Sequence, residues 1–158
     1  MPPLFDAFAG LSDADREHAR ILIAEDDPEL RSLLSMVLME DGYQVDEVAD
    51  GRQFVDVLAC LYDNGIPVDS YNLIITDIRM PGFSGLDVLS ALRCLRSHVP
   101  VIIITAFGDE PTRRLALGLG ALAVMEKPFD LDELRAVVVN VLARPRVPDG
   151  LPRSMGWA

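Results

Sequence analysis

Five short apolar runs punctuate this chain, and segments of helical period lie between them. Arg20–Ala24 (RILIA), Tyr43–Ala49 (YQVDEVA), Leu73–Thr76 (LIIT), Val101–Thr105 (VIIIT) and Ala121–Glu126 (ALAVME) read as strands. Three of them are nearly continuous in apolar residues, as expected of parallel strands covered on both faces. Leu30, Leu33, Leu34, Val37 and Leu38 mark one helical face, and Phe54, Val57, Leu58 and Leu61 a second. Leu86, Leu89, Leu92 and Leu95 mark a third, Pro111 to Leu119 a weaker fourth, and Leu131, Leu134, Val137, Val138, Val141 and Leu142 a fifth. Ser84 before Asp87 and Asp130 before Glu133 stand at capping-box spacing.

A strand followed by a helix, five times over, predicts an α/β fold: a parallel sheet with helices on both faces. Right-handed crossovers with one reversal give the flavodoxin-like, doubly wound (βα)5 arrangement with strand order 2-1-3-4-5. The core domain is expected over residues 20–143. Residues 1–19 form an N-terminal extension in which Leu4, Phe8 and Leu11 share a helical face. The connection from Leu61 to Asn72 is long, and residues 144–158 are a Pro/Gly-rich tail containing Trp157.

Composition narrows the function classes. Half of the 158 residues are hydrophobic, which argues against general disorder. The net charge of −11 repels nucleic-acid phosphates and anionic membranes, so neither is an expected partner. The N-terminus lacks a basic segment ahead of an apolar run, and no apolar run is long enough to span a bilayer. The expected location is the cytoplasm. Cys60 and Cys94 lack zinc-type spacing and read as small apolar residues on buried helix faces. His18 and His98 read as surface residues.

The chemistry concentrates at the carboxyl ends of the strands, where open α/β sheets bind ligands. The first strand runs into Glu25, Asp26 and Asp27, with Pro28 next. Pro28 suits the first helical position and makes Asp27 an N-cap, which leaves Asp26 to be explained. The third strand ends at Asp77, the fourth at Thr105, and the fifth runs into Lys127 and Pro128. Singly, each residue has an ordinary account as cap, turn starter, strand end or solvated lysine. Jointly they converge on one sheet edge. Clustered carboxylates raise one another's pKa unless a cation relieves them. Magnesium, or manganese in its place, fits such oxygen donors, with Asp27 and Asp77 ligating directly and Asp26 through water or at the rim. An Asp carboxylate is then a competent nucleophile towards phosphorus, with Lys127 and Thr105 holding the phosphoryl oxygens.

The pieces ILIAEDD, LIITDIRMPGFSG, VIIITA and GALAVMEKPF together resemble the receiver domain of bacterial two-component response regulators, from about Arg20 to Ala143. The resemblance implies that Asp77 accepts a phosphoryl group from a sensor histidine kinase or a histidine phosphotransfer protein. It implies an acidic pocket of Asp26, Asp27 and Asp77, and a further metal ligand in the backbone carbonyl of Arg79. Thr105 becomes the switch hydroxyl, Lys127 and Ala106 belong to the phosphate-binding set, and the Lys127–Pro128 bond is expected to be cis. Arg79 and Phe107 fall where the family varies and tunes phosphoryl lifetime, with plain loop exposure as the alternative. The family's switch aromatic falls on Val124 here, so aromatic coupling between Thr105 and the outer face is not expected to carry over. The switching loop is expected at Ala106–Pro111, with Gly108 as its flexible point. A homodimer would use the face made by the fourth helix, fifth strand and fifth helix.

Other classes fit less well. A dehalogenase-type phosphatase needs an acid two positions after its nucleophile, where this chain has Arg79. The GLGALA stretch leads into a strand, so its amides would not face a dinucleotide's pyrophosphate. A receiver-like docking module independent of phosphorylation stays open, motivated by Val124 and the terminal segments. The expectation is a single-domain, self-phosphorylating signalling protein, not an enzyme with separate turnover. The alternative is a receiver excised from a larger regulator.

Overall fold

The structure, a computed structural model, describes residues 19–106 and 108–144. Its strands are β1 (Arg20–Ala24), β2 (Gln44–Val48), β3 (Leu73–Asp77), β4 (Val101–Thr105) and β5 (Ala123–Glu126). Its helices are α1 (Pro28–Glu40), α2 (Gly51–Asp63), α3 (Gly85–Cys94), α4 (Glu110–Gly118) and α5 (Leu131–Leu142). All strand pairs are parallel, in the order β2-β1-β3-β4-β5. This is the flavodoxin-like topology that the alternation predicts, and the chain reverses direction of growth at β1 and β3.

Alternation along each strand sends successive side chains to opposite faces. Leu22, Ile74, Val101 and Ile103 pack with Phe54, Val88, Leu92 and Ala116, so α2, α3 and α4 cover one face. Ile21, Ile23, Ile75, Ile102 and Ile104 pack with Leu34, Leu38, Leu134 and Val138, so α1 and α5 cover the other. β3 and β4 are buried along their whole lengths, which is why their sequences read as unbroken apolar runs.

Short acids or a serine start all five helices. Asp27, Asp50, Ser84, Asp109 and Asp130 each accept a backbone N–H of the following turn. Ser84 and Asp87 form the expected capping box. Asp130 instead takes the N–H of Asp132 at 2.9 Å.

The differences from the pattern are local. β2 and β5 are shorter than their apolar runs suggest. α3 ends at Cys94, so Leu95 falls past its end and is exposed, and Leu33 is also exposed. Cys60 and Cys94 are exposed as well, because each falls on the outer side of its helix once the larger apolar residues turn inward. His98 is half-buried beside the long connection, whose Asp69 accepts from Ser97 Oγ at 2.5 Å and from the His98 N–H at 3.2 Å. That connection carries a 3-10 turn at Val68–Ser70 and a buried Tyr71, so it is docked onto the domain. The apolar positions in residues 1–18, His18, Phe107 and Trp157 lie outside the described residues.

Gly85 ties this framework to the strand ends. Its N–H donates to the Ile78 carbonyl at 3.0 Å, and a Cβ here would overlap the Asp77 carbonyl. The chain after β3 must therefore fold back tightly under α3. Gly85→Ala is expected to cost about 1–3 kcal/mol through overpacking against backbone that cannot yield. Urea unfolding, read as a lowered midpoint at unchanged slope, checks this.

Candidate functional site

The carboxyl ends of β1 and β3 lie side by side at the reversal in strand order, with β5 beyond β4 on the same edge of the sheet. The first residue beyond β1, Glu25, is fully buried, and Asp77 at the end of β3 is nearly so. Lys127, just past β5, reaches between them. Its Nζ donates to both Glu25 oxygens, at 3.2 and 3.0 Å, and to Asp77 Oδ2. Lys127 is the only lysine in the chain, whose other basic side chains are arginines. A compact ammonium with three rotatable donors suits two carboxylates at unrelated angles, which a planar guanidinium does not.

Asp26 completes the group. Carboxylate oxygens of Glu25, Asp26 and Asp77 lie within 4.8 Å of one another, with Asp26 on the exposed side. The second Asp77 oxygen, Oδ1, accepts the Arg79 N–H at 2.9 Å. Three hard oxygen donors, open to solvent at one side, fit a divalent cation of the magnesium class. Such an ion would be held by Glu25, Asp26 and Asp77.

The structure corrects the expected acidic set by one residue. Asp27 stands outside this group: its Oδ1 accepts from the N–H of Glu29 at 2.9 Å and of Leu30 at 3.4 Å as the cap of α1. Glu25, missed in the sequence, takes the inner place. The signal was available, since Pro28 fixes Asp27 as the cap and leaves Glu25 and Asp26 as the free pair.

The remaining expected residues surround this group. Thr105 ends β4, is buried, and its carbonyl accepts the Lys127 N–H at 2.8 Å. Ala106 is exposed just after it, and Arg79 is exposed beyond Asp77. The Lys127–Pro128 peptide is cis. Val124 is buried in the core with Ile103 and Ala116. At Gly108 a Cβ would meet only the exposed Glu126 side chain, whose flexible end can move aside.

Electrostatics follow from burial. Desolvation pushes the Glu25 carboxyl up to about 7, the Asp77 charge adds to this, and the Lys127 hydrogen bond opposes it. Burial by itself pulls the Lys127 ammonium down, but its hydrogen bonds to Asp77 and Glu25 outweigh that and leave it raised.

An acidic pocket with one lysine at the switch point of a flavodoxin-like sheet defines a class of signalling domain. The profile of the response regulator receiver domain matches residues 21–139, and the chain belongs to that family. Transcriptional regulatory protein TcrA of Mycobacterium tuberculosis is 38% identical over 129 residues, covering 82% of this chain and 48% of that protein. Sporulation initiation phosphotransferase F of Bacillus subtilis is 32% identical over 123 residues, covering 78% of this chain and 93% of that protein. The chain thus spans about half of the first relative and nearly all of the second. Among solved structures, the Francisella response regulator 1452 receiver domain superposes with a TM-score of 0.67 at 27% identity, covering 79% of this chain and 96% of that one. The HemR receiver domain of Leptospira biflexa gives 0.69 at 25% identity, covering 82% and 98%. The chain is a receiver domain of a two-component response regulator. No helix among the described residues is long and apolar enough to cross a membrane.

The raised Glu25 value makes a signed prediction for the metal-free protein. Between about pH 4.5 and 7 the folded state keeps a proton that the unfolded chain has released. This contribution to stability is complete below pH 4.5 and is lost as pH rises through 7. In chelator, wild type is expected to lose on the order of 3 kcal/mol between pH 5 and pH 8 relative to Glu25→Gln, measured by urea unfolding.

Proposed function

We propose that Asp77 is the phosphoacceptor of this receiver, taking a phosphoryl group from the phosphohistidine of a sensor kinase or a histidine phosphotransfer protein with magnesium bound at Glu25, Asp26 and Asp77. The observation that carries this is the Lys127 ammonium bridging Glu25 and Asp77 inside a three-carboxylate cluster. The sporulation phosphotransferase among the relatives supports a phosphoryl-relay role. When bound, the cation offsets carboxylate charge and draws phosphate oxygens to the site.

A carboxylate oxygen of Asp77 forms the new P–O bond as the donor's P–N bond breaks, and the electron pair leaves with the imidazole nitrogen. The Arg79 N–H on Asp77 Oδ1 fixes the carboxylate plane, and the Arg79 carbonyl is the expected backbone ligand. After transfer, Lys127 exchanges its Asp77 contact for the phosphoryl oxygens. The Thr105 hydroxyl takes another, with Ala106 beside it. These new charge-assisted bonds bias the Ala106–Pro111 loop and α4, through which a partner or a second copy would read the state.

Val124 favours a second reading. It is buried beside Ala116 of α4, so no ring is present at this position to reorient. A docking role indifferent to phosphorylation would suit that arrangement. The location is expected to be the cytoplasm.

Acetyl phosphate with magnesium is expected to add one phosphoryl group by intact mass, lost in Asp77→Asn and in chelator. Absence of incorporation from both acetyl phosphate and a phosphohistidine donor would leave the docking reading. The corrected acidic set is tested separately. Asp26→Asn is expected to weaken magnesium binding roughly tenfold or more. Asp27→Ala is expected to leave it within about twofold while costing about 1 kcal/mol of stability as a lost cap. Calorimetric titration and urea unfolding of both variants measure this.

A further inference from the structure

We infer that Arg31 is a positioning residue for the acidic cluster, holding the Glu25 peptide so that the Glu25 and Asp26 carboxylates both turn towards Asp77. The inference rests on the cation reading above. Arg31 lies on the first turns of α1, and its Nη1 donates to the Glu25 carbonyl at 2.8 Å. Its Nε stands 3.7 Å from Glu47 Oε1 on β2. On the other side, the Glu25 N–H donates to the Val48 carbonyl at 3.2 Å. The Glu25 backbone is therefore pinned at its N–H by β2 and at its carbonyl by α1.

That pinning matters because Glu25 is where strand becomes loop. One residue later the chain starts towards the cap at Asp27, so nothing in the regular ladder orients the peptide between Glu25 and Asp26. If its carbonyl turned into the pocket, it would displace a carboxylate from the group of three. The guanidinium opposes this by giving the carbonyl a charged donor at 2.8 Å. Its fork serves the carbonyl and Glu47 together, which a single ammonium does less well.

The sign of the effect separates positioning from plain electrostatics. Removing a nearby positive charge, with nothing else altered, strengthens binding of a cation. Loss of a positioning contact weakens it.

The test is calorimetric titration of the full chain with magnesium chloride, for wild type, Arg31→Ala and Arg31→Lys. Arg31→Ala is expected to bind magnesium roughly tenfold more weakly, with Arg31→Lys between it and wild type. Phosphorylation by acetyl phosphate should need correspondingly more magnesium in Arg31→Ala and approach the wild-type rate at saturation. Wild-type binding together with equal or tighter binding by both variants overturns this inference alone. Failure of the wild type to bind magnesium overturns the cation reading and this inference with it. Arg31→Lys keeps the comparison readable if the alanine variant does not fold.

Discussion

The arrangement depends on one ammonium group between two buried carboxylates. Glu25 and Asp77 are brought from strands that are far apart in sequence, and their charges oppose each other in a region with little water. Lys127 offsets that repulsion while making three hydrogen bonds. The same contacts leave the site poised, because any change in charge at Asp77 changes what the lysine should bind.

The fold supplies the meeting point by topology. Strand order reverses between β1 and β3, so the helices after them leave on opposite faces and expose the strand ends between them. Buried, near-continuous strands fix those ends rigidly, and loops carry the chemistry. Specific contacts then hold the loops: the Gly85 N–H on the Ile78 carbonyl and Arg31 on the Glu25 carbonyl. Each replaces freedom with a specific neighbour where the ladder ends.

Helix capping adds a second layer of acids around the same edge. Asp27, Asp50, Asp109 and Asp130 all begin helices that follow strands. They satisfy backbone N–H groups and complement the helix dipoles, so their charges are spoken for locally. A carboxylate near the pocket is consequently not yet a carboxylate of the pocket. Val124 makes the opposite point, since it is buried in the same cluster as Ile103 and Ala116 and carries no charge to the edge.

Periodicity alone determined the five strands, five helices and their alternation, because parallel strands buried on both faces leave no ambiguity about what is apolar. Joined to the crossover rules for α/β sheets, it led to the reversal, the edge where polar residues gather, and the places of Asp26, Asp77, Thr105 and Lys127. Tertiary structure decided which neighbouring acids meet Asp77. Glu25, Asp26 and Asp27 are adjacent and chemically alike, and a shift of one residue at a strand end sends a side chain to the other side. Glu25 faces inward to Lys127 with its carboxylate also accepting the Asp27 N–H, while the Asp27 side chain caps α1 and Arg31 holds the Glu25 carbonyl. That choice is made by contacts between elements, which no local pattern contains.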